Sequence, residues 1–217
     1  FPKPGEISLA HRGVLFLDEF AEFPRSTLES LRQPLEDGIV VVSRAKGTLT
    51  FPARFMLIAA MNPCPCGHFG DPERVCGCSP YVREKYRQKV SGPILDRIDL
   101  HIEVPRLKFD ALQEKGQGES SRVIRERVEQ ARALQRTRLE PYGKFTNTEL
   151  DVKLLETHCA LSPACQDILR EAVTFYKLSP RAYSRVLKVA RTIADLSGSK
   201  TLEEEHLMEA LHYRLRS

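Results

Sequence analysis

HRGVLFLDEF, residues 11–20, decides how this chain is read. Val14, Leu15, Phe16 and Leu17 form an unbroken apolar run, the pattern of a strand buried on both faces of a parallel sheet. Asp18 and Glu19 follow at once. Two adjacent carboxylates at such an exit have two readings. A core strand is simply reaching the surface, or the pair is a Walker B site, where one acid serves Mg²⁺ and the next aims a water at a nucleotide phosphate.

The flanking sequence bears on that choice. Pro24 and Arg25 lead to Ser26, read as the N-cap of a short amphipathic helix over 27–36, with Leu28, Leu31 and Leu35 on one face and Gly38 as its stop. IVVVSRAKGTLTF, 39–51, places two β-rich arms around Arg44-Ala45-Lys46-Gly47 and predicts a hairpin. RFMLIAAMN, 54–62, is a second buried strand, ending at Asn62. If the two apolar runs are neighbours in one parallel sheet, Asn62 lies beside Glu19 and can hold the same water; alone, it is an ordinary polar strand end. YVREKYRQKV, 81–90, is a charged helical stretch. SGPILDRIDLHIEVP, 91–105, is a turn and a helix running into a strand over 98–104. In it, Arg97 either reaches a neighbouring subunit's phosphate or pairs with Asp96 or Asp99.

From 106 to 120 the chain is polar and glycine-containing, the composition of a linker. Beyond Ser121 the pattern is helical, with Ile124, Val128, Ala131 and Leu134 on one face. Ser162-Pro163 and Ser179-Pro180 each read as an N-cap followed by proline at the first helical position. Thr201 with Glu204 reads as a capping box before the last helix. Arg181 falls in the first turn of the helix that starts at Pro180, with Arg185 one turn on; either can meet a phosphate, and either can be a solvated charge. The expected organisation is a sheet-bearing part over 1–106, a linker over 107–120 and a helical bundle over 121–217.

The bulk numbers exclude several classes. With 217 residues, 41% hydrophobic and 29% charged, the chain can bury a real core. No apolar run approaches a membrane span, so no membrane partner is expected. The start at Phe1 rather than Met reads as a piece of something longer. The net charge of +4 is too small to argue for nucleic acid by itself. Residues 121–145 carry seven basic groups and three acids, and their spacing admits i,i+4 pairing on a wet face as well as a DNA-facing stripe.

Of six cysteines, four fall within fifteen residues: Cys64, Cys66, Cys76 and Cys78. With no secretory signal, a reduced, cytosolic setting is expected, where clustered thiols suggest metal more than disulfides. Two C-x-C pairs joined by a loop containing Gly67, Gly70 and Pro72 can fold back on one Zn²⁺, with His68 as a possible substitute ligand.

Four stretches carry a resemblance: PGEISLAHRGVLFLDEFAEFPRSTLESLRQPLEDG (4–38), AAMNPCPCG (59–67), SGPILDRIDL (91–100) and SPRAYSRVLKVARTIADL (179–196). In content and order they resemble the ComM/YifB family, bacterial magnesium-chelatase-like AAA+ ATPases, along essentially the whole chain. The resemblance implies an α/β fold: part of an AAA+ (P-loop NTPase) parallel-sheet core with a β-hairpin insertion, then an all-α lid. It implies ATP and Mg²⁺ as cofactors, with Asp18 and Glu19 as Walker B, Asn62 as sensor 1, Arg97 as the arginine finger, and Arg181, or alternatively Arg185, as sensor 2. It places Arg44 and Lys46 on the hairpin insertion before sensor 1. It further implies a homo-oligomeric ring, expected to be a hexamer, that drives branch migration of DNA during recombination and natural transformation. A different class stays open, a chelatase-type subunit whose ATP turnover remodels a partner protein; so does a non-catalytic, zinc-stabilised assembly module, which would need none of these site residues. The sequence contains no G-x-x-x-x-G-K-[ST] phosphate loop, so this stretch alone is expected to be inactive.

Overall fold

A computed structural model describes residues 3–44, 47–105 and 118–214. The chain forms two compact units, Phe1–Ile98 and Asp99–Ser217. Most of the expected linker lies outside the described residues, and residues 99–105 go with the helical unit rather than with the sheet.

The first unit runs α1 (Glu6–Leu9), β1 (Val14–Leu17), a 3₁₀ turn (Phe20–Glu22), α2 (Arg25–Ser30), α3 (Arg32–Asp37), β2 (Ile39–Arg44), β3 (Gly47–Pro52), β4 (Met56–Ala59), α4 (Pro80–Arg87) and α5 (Gly92–Leu95). β1 and β4 are parallel neighbours, Val14 opposite Met56 through Leu17 opposite Ala59. β2 and β3 form the expected antiparallel hairpin, inserted between those two strands.

Two expectations change here. The helix over 27–36 is two helices jointed at Leu31. Pro34 has no N–H for the preceding turn and its ring crowds the carbonyl four residues back, so the ladder breaks and restarts with proline in the new first turn. Pro24, not Ser26, is the N-cap of α2. Gly38 does stop α3: its φ is +67°, and a Cβ there would stand 2.7 Å from Arg54 Cγ.

The strands are not buried on both faces. Leu15 and Leu17 pack towards a core of Phe20, Leu28, Leu31, Tyr86, Val90 and Ile94. Val14, Phe16, Met56 and Ile58 point the other way and are exposed. The pleat alternates sides, and among the described residues no layer covers the second one. The strand expected over 98–104 is also absent. Leu100, Ile102 and Val104 are exposed, and the His101 N–H donates to the Tyr213 carbonyl at 2.8 Å rather than to a strand.

The second unit is helical: α6 (Ser121–Leu139), α7 (Val152–His158), α8 (Pro163–Tyr176), α9 (Pro180–Leu196) and α10 (Glu204–His212). α9 is central, packing against α6, α7 and α10 through a stripe of Ala182, Val186, Ala190 and Ala194. Small residues on that stripe let neighbouring helices approach closely. Ser162 and Ser179 cap as expected, accepting from the Cys165 and Ala182 amides at 3.2 Å. The last helix is capped by Glu203 with His206, not by Thr201 with Glu204; the Thr201 hydroxyl instead donates to Glu203. On α6 the buried face is Ala131, Gln135 and Leu139, while Ile124, Val128 and Leu134 are exposed. A buried glutamine hid that face: Gln135 accepts the Asn147 N–H.

A polar network lies inside this unit. Arg138 grips the Asp195 carboxylate with two N–H groups at 2.8 and 2.6 Å. Arg191 Nε donates to the same carboxylate at 3.1 Å, and the Asn147 amide adds a bond of 2.9 Å. Burial alone would raise the Asp195 carboxyl, but the Arg138 and Asn147 bonds and the nearby Arg191 charge outweigh it and hold it below its ordinary range. No helix among the described residues is long and apolar enough to cross a membrane.

Candidate nucleotide site and cysteine cluster

The parallel register brings the ends of β1 and β4 together. The Phe20 N–H donates to the Ala60 carbonyl at 2.8 Å, and the Ala60 N–H donates to the Leu17 carbonyl at 3.0 Å. Between these bonds Asp18 and Glu19 are exposed. Asp18 Oδ1 accepts the Glu19 N–H at 2.8 Å. Glu19 has φ 50° and ψ 42°, a left-handed conformation that costs a non-glycine residue on the order of 1 kcal/mol. The bonds on either side hold it there, and the Glu22 N–H closes the turn on the Glu19 carbonyl at 2.7 Å. Sequence patterns carry no signal for that twist.

Asn62 lies three residues beyond the end of β4, at the same end of the sheet as Asp18 and Glu19. It is exposed, and its Oδ1 faces the turn at Gly67. Tyr86 connects this end of the sheet to the cysteine loop. Burial first, then the charges of Glu22, Cys64 and Glu19, push its phenol above the ordinary value.

The four cysteines converge. Cys64, Cys66, Cys76 and Cys78 place their Sγ atoms within 4.8 Å of one another. Cys64 stands 3.4 Å from Cys66 and 3.7 Å from Cys76, and Cys66 stands 3.7 Å from Cys76. Tetrahedral zinc with bonds of about 2.3 Å needs sulfurs about 3.8 Å apart, so the donor set and spacing fit that ion. Gly67, at φ +77°, makes the turn, its N–H bonding the Cys64 carbonyl at 3.0 Å. The His68 backbone first, then the neighbouring thiols, pull Cys66 down to about 6. A backbone bond to Cys66 favours the Cys78 thiolate, but the neighbouring thiols and burial prevail and push Cys78 up to about 11. His68 is not one of the converging donors; its Nδ1 lies 3.8 Å from Asp71. Two further supports had little sequence signal. Ser79 caps α4 directly after Cys78, and Arg83 lays its guanidinium 4.5 Å over the Phe69 ring while donating to the Cys78 carbonyl. Cys159 and Cys165 are buried in the helical core, and burial pushes the Cys159 thiol up to about 11.

Arg97 has a partner that the sequence did not name. Its guanidinium grips the Glu36 carboxylate and the Pro93 carbonyl. Asp99 instead pairs with Arg185, whose side chain is mostly buried. Arg181 occupies the first turn of α9 and is exposed. Arg44 is exposed at the end of β2, and Lys46 lies outside the described residues. On α6, Arg122 and Glu126 make an i,i+4 pair at 2.7 Å, whereas Arg138 turns inward to Asp195.

The family described as magnesium chelatase, subunit ChlI, matches residues 1–112, and its C-terminal counterpart matches 118–214. The chain belongs to this magnesium-chelatase-like family of AAA+ ATPases, within its ComM/YifB branch. It is 50% identical to competence protein ComM of Haemophilus influenzae across 98% of this chain and 41% of that protein. It is 44% identical to YifB of Escherichia coli, again across 98% of this chain and 41% of the relative. To the magnesium-chelatase 38 kDa subunit of Acidiphilium rubrum it is 27% identical, across 99% of this chain and 56% of that subunit. The chain thus spans about two-fifths of the length of its ComM and YifB relatives.

Proposed function

We propose that this chain supplies the catalytic acids, hairpin and lid of an ATP-driven AAA+ motor that remodels branched DNA. The observation that carries the reading is the β1–β4 register, which ends two parallel strands side by side with Asp18, Glu19 and Asn62 at one edge. Ligands of open α/β sheets bind beyond the carboxyl ends of the strands, where these residues stand. When ATP and Mg²⁺ are bound, phosphoryl chemistry needs charge neutralisation and an aimed water. Asp18 would hold the metal side, Glu19 would take a proton from the water, and Asn62 would orient it. Arg97 would serve the site of a neighbouring copy in a ring, expected to be a hexamer. Arg181 would take the sensor 2 role, with Arg185, which pairs with Asp99, as the alternative. Arg44 and Lys46 at the hairpin would touch DNA phosphates without reading sequence.

The four thiols would hold one structural Zn²⁺, closing the loop that follows Asn62. With no phosphate loop in its 217 residues, the chain by itself would neither bind ATP tightly nor turn it over. A relative with competence in its name favours DNA as the substrate. The 27% identity to a magnesium-chelatase subunit favours the second reading, in which ATP turnover remodels a partner protein. An unwinding assay on four-way and forked DNA with the longer protein separates the two. ATP-dependent strand separation that Glu19→Gln abolishes supports the motor. ATP turnover with neither unwinding nor DNA stimulation supports the chelatase-like alternative.

A further inference from the structure

We infer that Glu36 is a positioning residue for Arg97, holding its guanidinium within the same chain until a phosphate on a neighbouring copy replaces the carboxylate. This rests on the reading of Arg97 as the arginine that reaches another subunit's nucleotide. Arg97 follows directly on α5 and folds back against its own unit. Nη1 donates to the Pro93 carbonyl at 2.6 Å, Nη2 grips Glu36, and only 9% of the side chain is exposed. A guanidinium so covered requires an anion beside it. Glu36, with 34% of its side chain exposed, supplies that anion and remains within reach of solvent.

To act on a neighbour's phosphate, Arg97 must leave this carboxylate. The move exchanges one oxyanion for another of greater charge, so Arg97 passes from partner to partner without standing bare. The location of Glu36 gives the exchange a second input. It lies in the last turn of α3, and β2 begins just beyond Gly38. The Ala53 N–H bonds the Gly38 carbonyl at 2.7 Å and closes the base of the hairpin. A pull on the hairpin is therefore delivered through Gly38 to the helix that carries Glu36. The hairpin and Arg97 are both biased by one element, which is what coupling between two sites requires.

The test is steady-state ATP turnover of the longer protein, with and without branched DNA, for Glu36→Gln, Glu36→Asp and Arg97→Ala, with melting followed by circular dichroism. Glu36→Gln should raise DNA-independent kcat on the order of fivefold, leave KM for ATP near its starting value, and shrink the stimulation by DNA. Glu36→Asp keeps the charge and should restore most of the stimulation. Unchanged kcat and unchanged DNA stimulation in Glu36→Gln would overturn the role of Glu36 while Arg97→Ala remains inactive. So would a Glu36→Gln defect that merely follows a lowered melting temperature and that Glu36→Asp does not relieve. Full turnover by Arg97→Ala would sink the underlying reading of Arg97 and this inference with it.

Discussion

Leu17 stands opposite Ala59 in parallel register, and one residue on, Ala60 bonds both Leu17 and Phe20. The two carboxylates are held at the strand end by these main-chain bonds, with one further bond from the Glu19 N–H to Asp18 Oδ1. Conservative replacement should therefore change chemistry more than structure. In the longer protein, Glu19→Gln should lower ATP turnover about a hundredfold or more while nucleotide still binds, the loss typical of a missing general base. Asp18→Asn should weaken the dependence of nucleotide binding on Mg²⁺. Titration with a fluorescent ATP analogue beside a turnover assay checks both. A Glu19→Gln variant with undiminished turnover would remove this residue from the reaction.

The cysteine cluster predicts one zinc per chain. Mass spectrometry of metal content after purification without added metal should find it, and Cys66→Ser with Cys76→Ser should reduce it to background. Chelation should lower the melting temperature of the first unit and leave the helical unit as it was, because Cys159 and Cys165 belong to a separate apolar core. Unchanged metal content in the double variant would end the zinc assignment.

In the helical unit, Asp195 compensates the buried Arg191 and the partly buried Arg138, so its removal strands positive charge. Asp195→Asn should cost about 3 kcal/mol, read as a lower urea midpoint at 222 nm. Acid should act on this unit in two steps. Burial, then Arg138 and Arg191, hold the His158 imidazole below its ordinary value, and its Nε2 is buried without a hydrogen-bond partner among the described residues. The unfolded chain therefore takes up that proton first. Stability from this source is complete above about pH 6.5 and is lost as pH falls from there towards the lower folded value. Asp195 works in the same direction lower down: its carboxyl is depressed in the folded state, so its contribution holds above about pH 4 and fades as pH drops towards the folded value. His158→Gln should flatten urea midpoints between pH 7 and 5 and leave the lower step in place.

Reversing the hairpin charges, Arg44→Glu with Lys46→Glu, should weaken DNA binding by the longer protein more than its basal ATP turnover. The slope of log affinity against log salt should become shallower by about 0.9 for each phosphate that the hairpin no longer neutralises. Equal weakening of binding and turnover would count against a hairpin that touches DNA.

What the sequence disclosed divides by the range of the interactions involved. The hairpin, the caps at Ser162 and Ser179 and the convergence of four thiols are local matters, decided by residues a few positions apart. The pairing of the two apolar runs was posed by the sequence only as a condition, and the parallel register meets it. The rest depended on partners. Glu36 lies 61 positions from Arg97 and has no motif to announce it. The left-handed turn at Glu19 follows from the Phe20–Ala60 bond, not from its side chain. Gln135 reads as polar and sits inside, because Asn147 gives it a donor. A strand over 98–104 was a fair reading of alternating apolar residues, but a strand exists only beside another, and His101 bonds Tyr213 instead.

Val14, Phe16, Met56 and Ile58 form a greasy panel on a ribbon of two parallel strands, a construction that nature ordinarily sandwiches between helices. Water wets that panel poorly, and the outer rims of the ribbon still present amide and carbonyl groups to any strand that approaches. In concentrated solution this chain should be sticky, lighting up hydrophobic dyes and sedimenting as a mixture of species. Dilution or mild detergent should disperse them, and an added polypeptide layer that shields the panel should abolish the behaviour altogether.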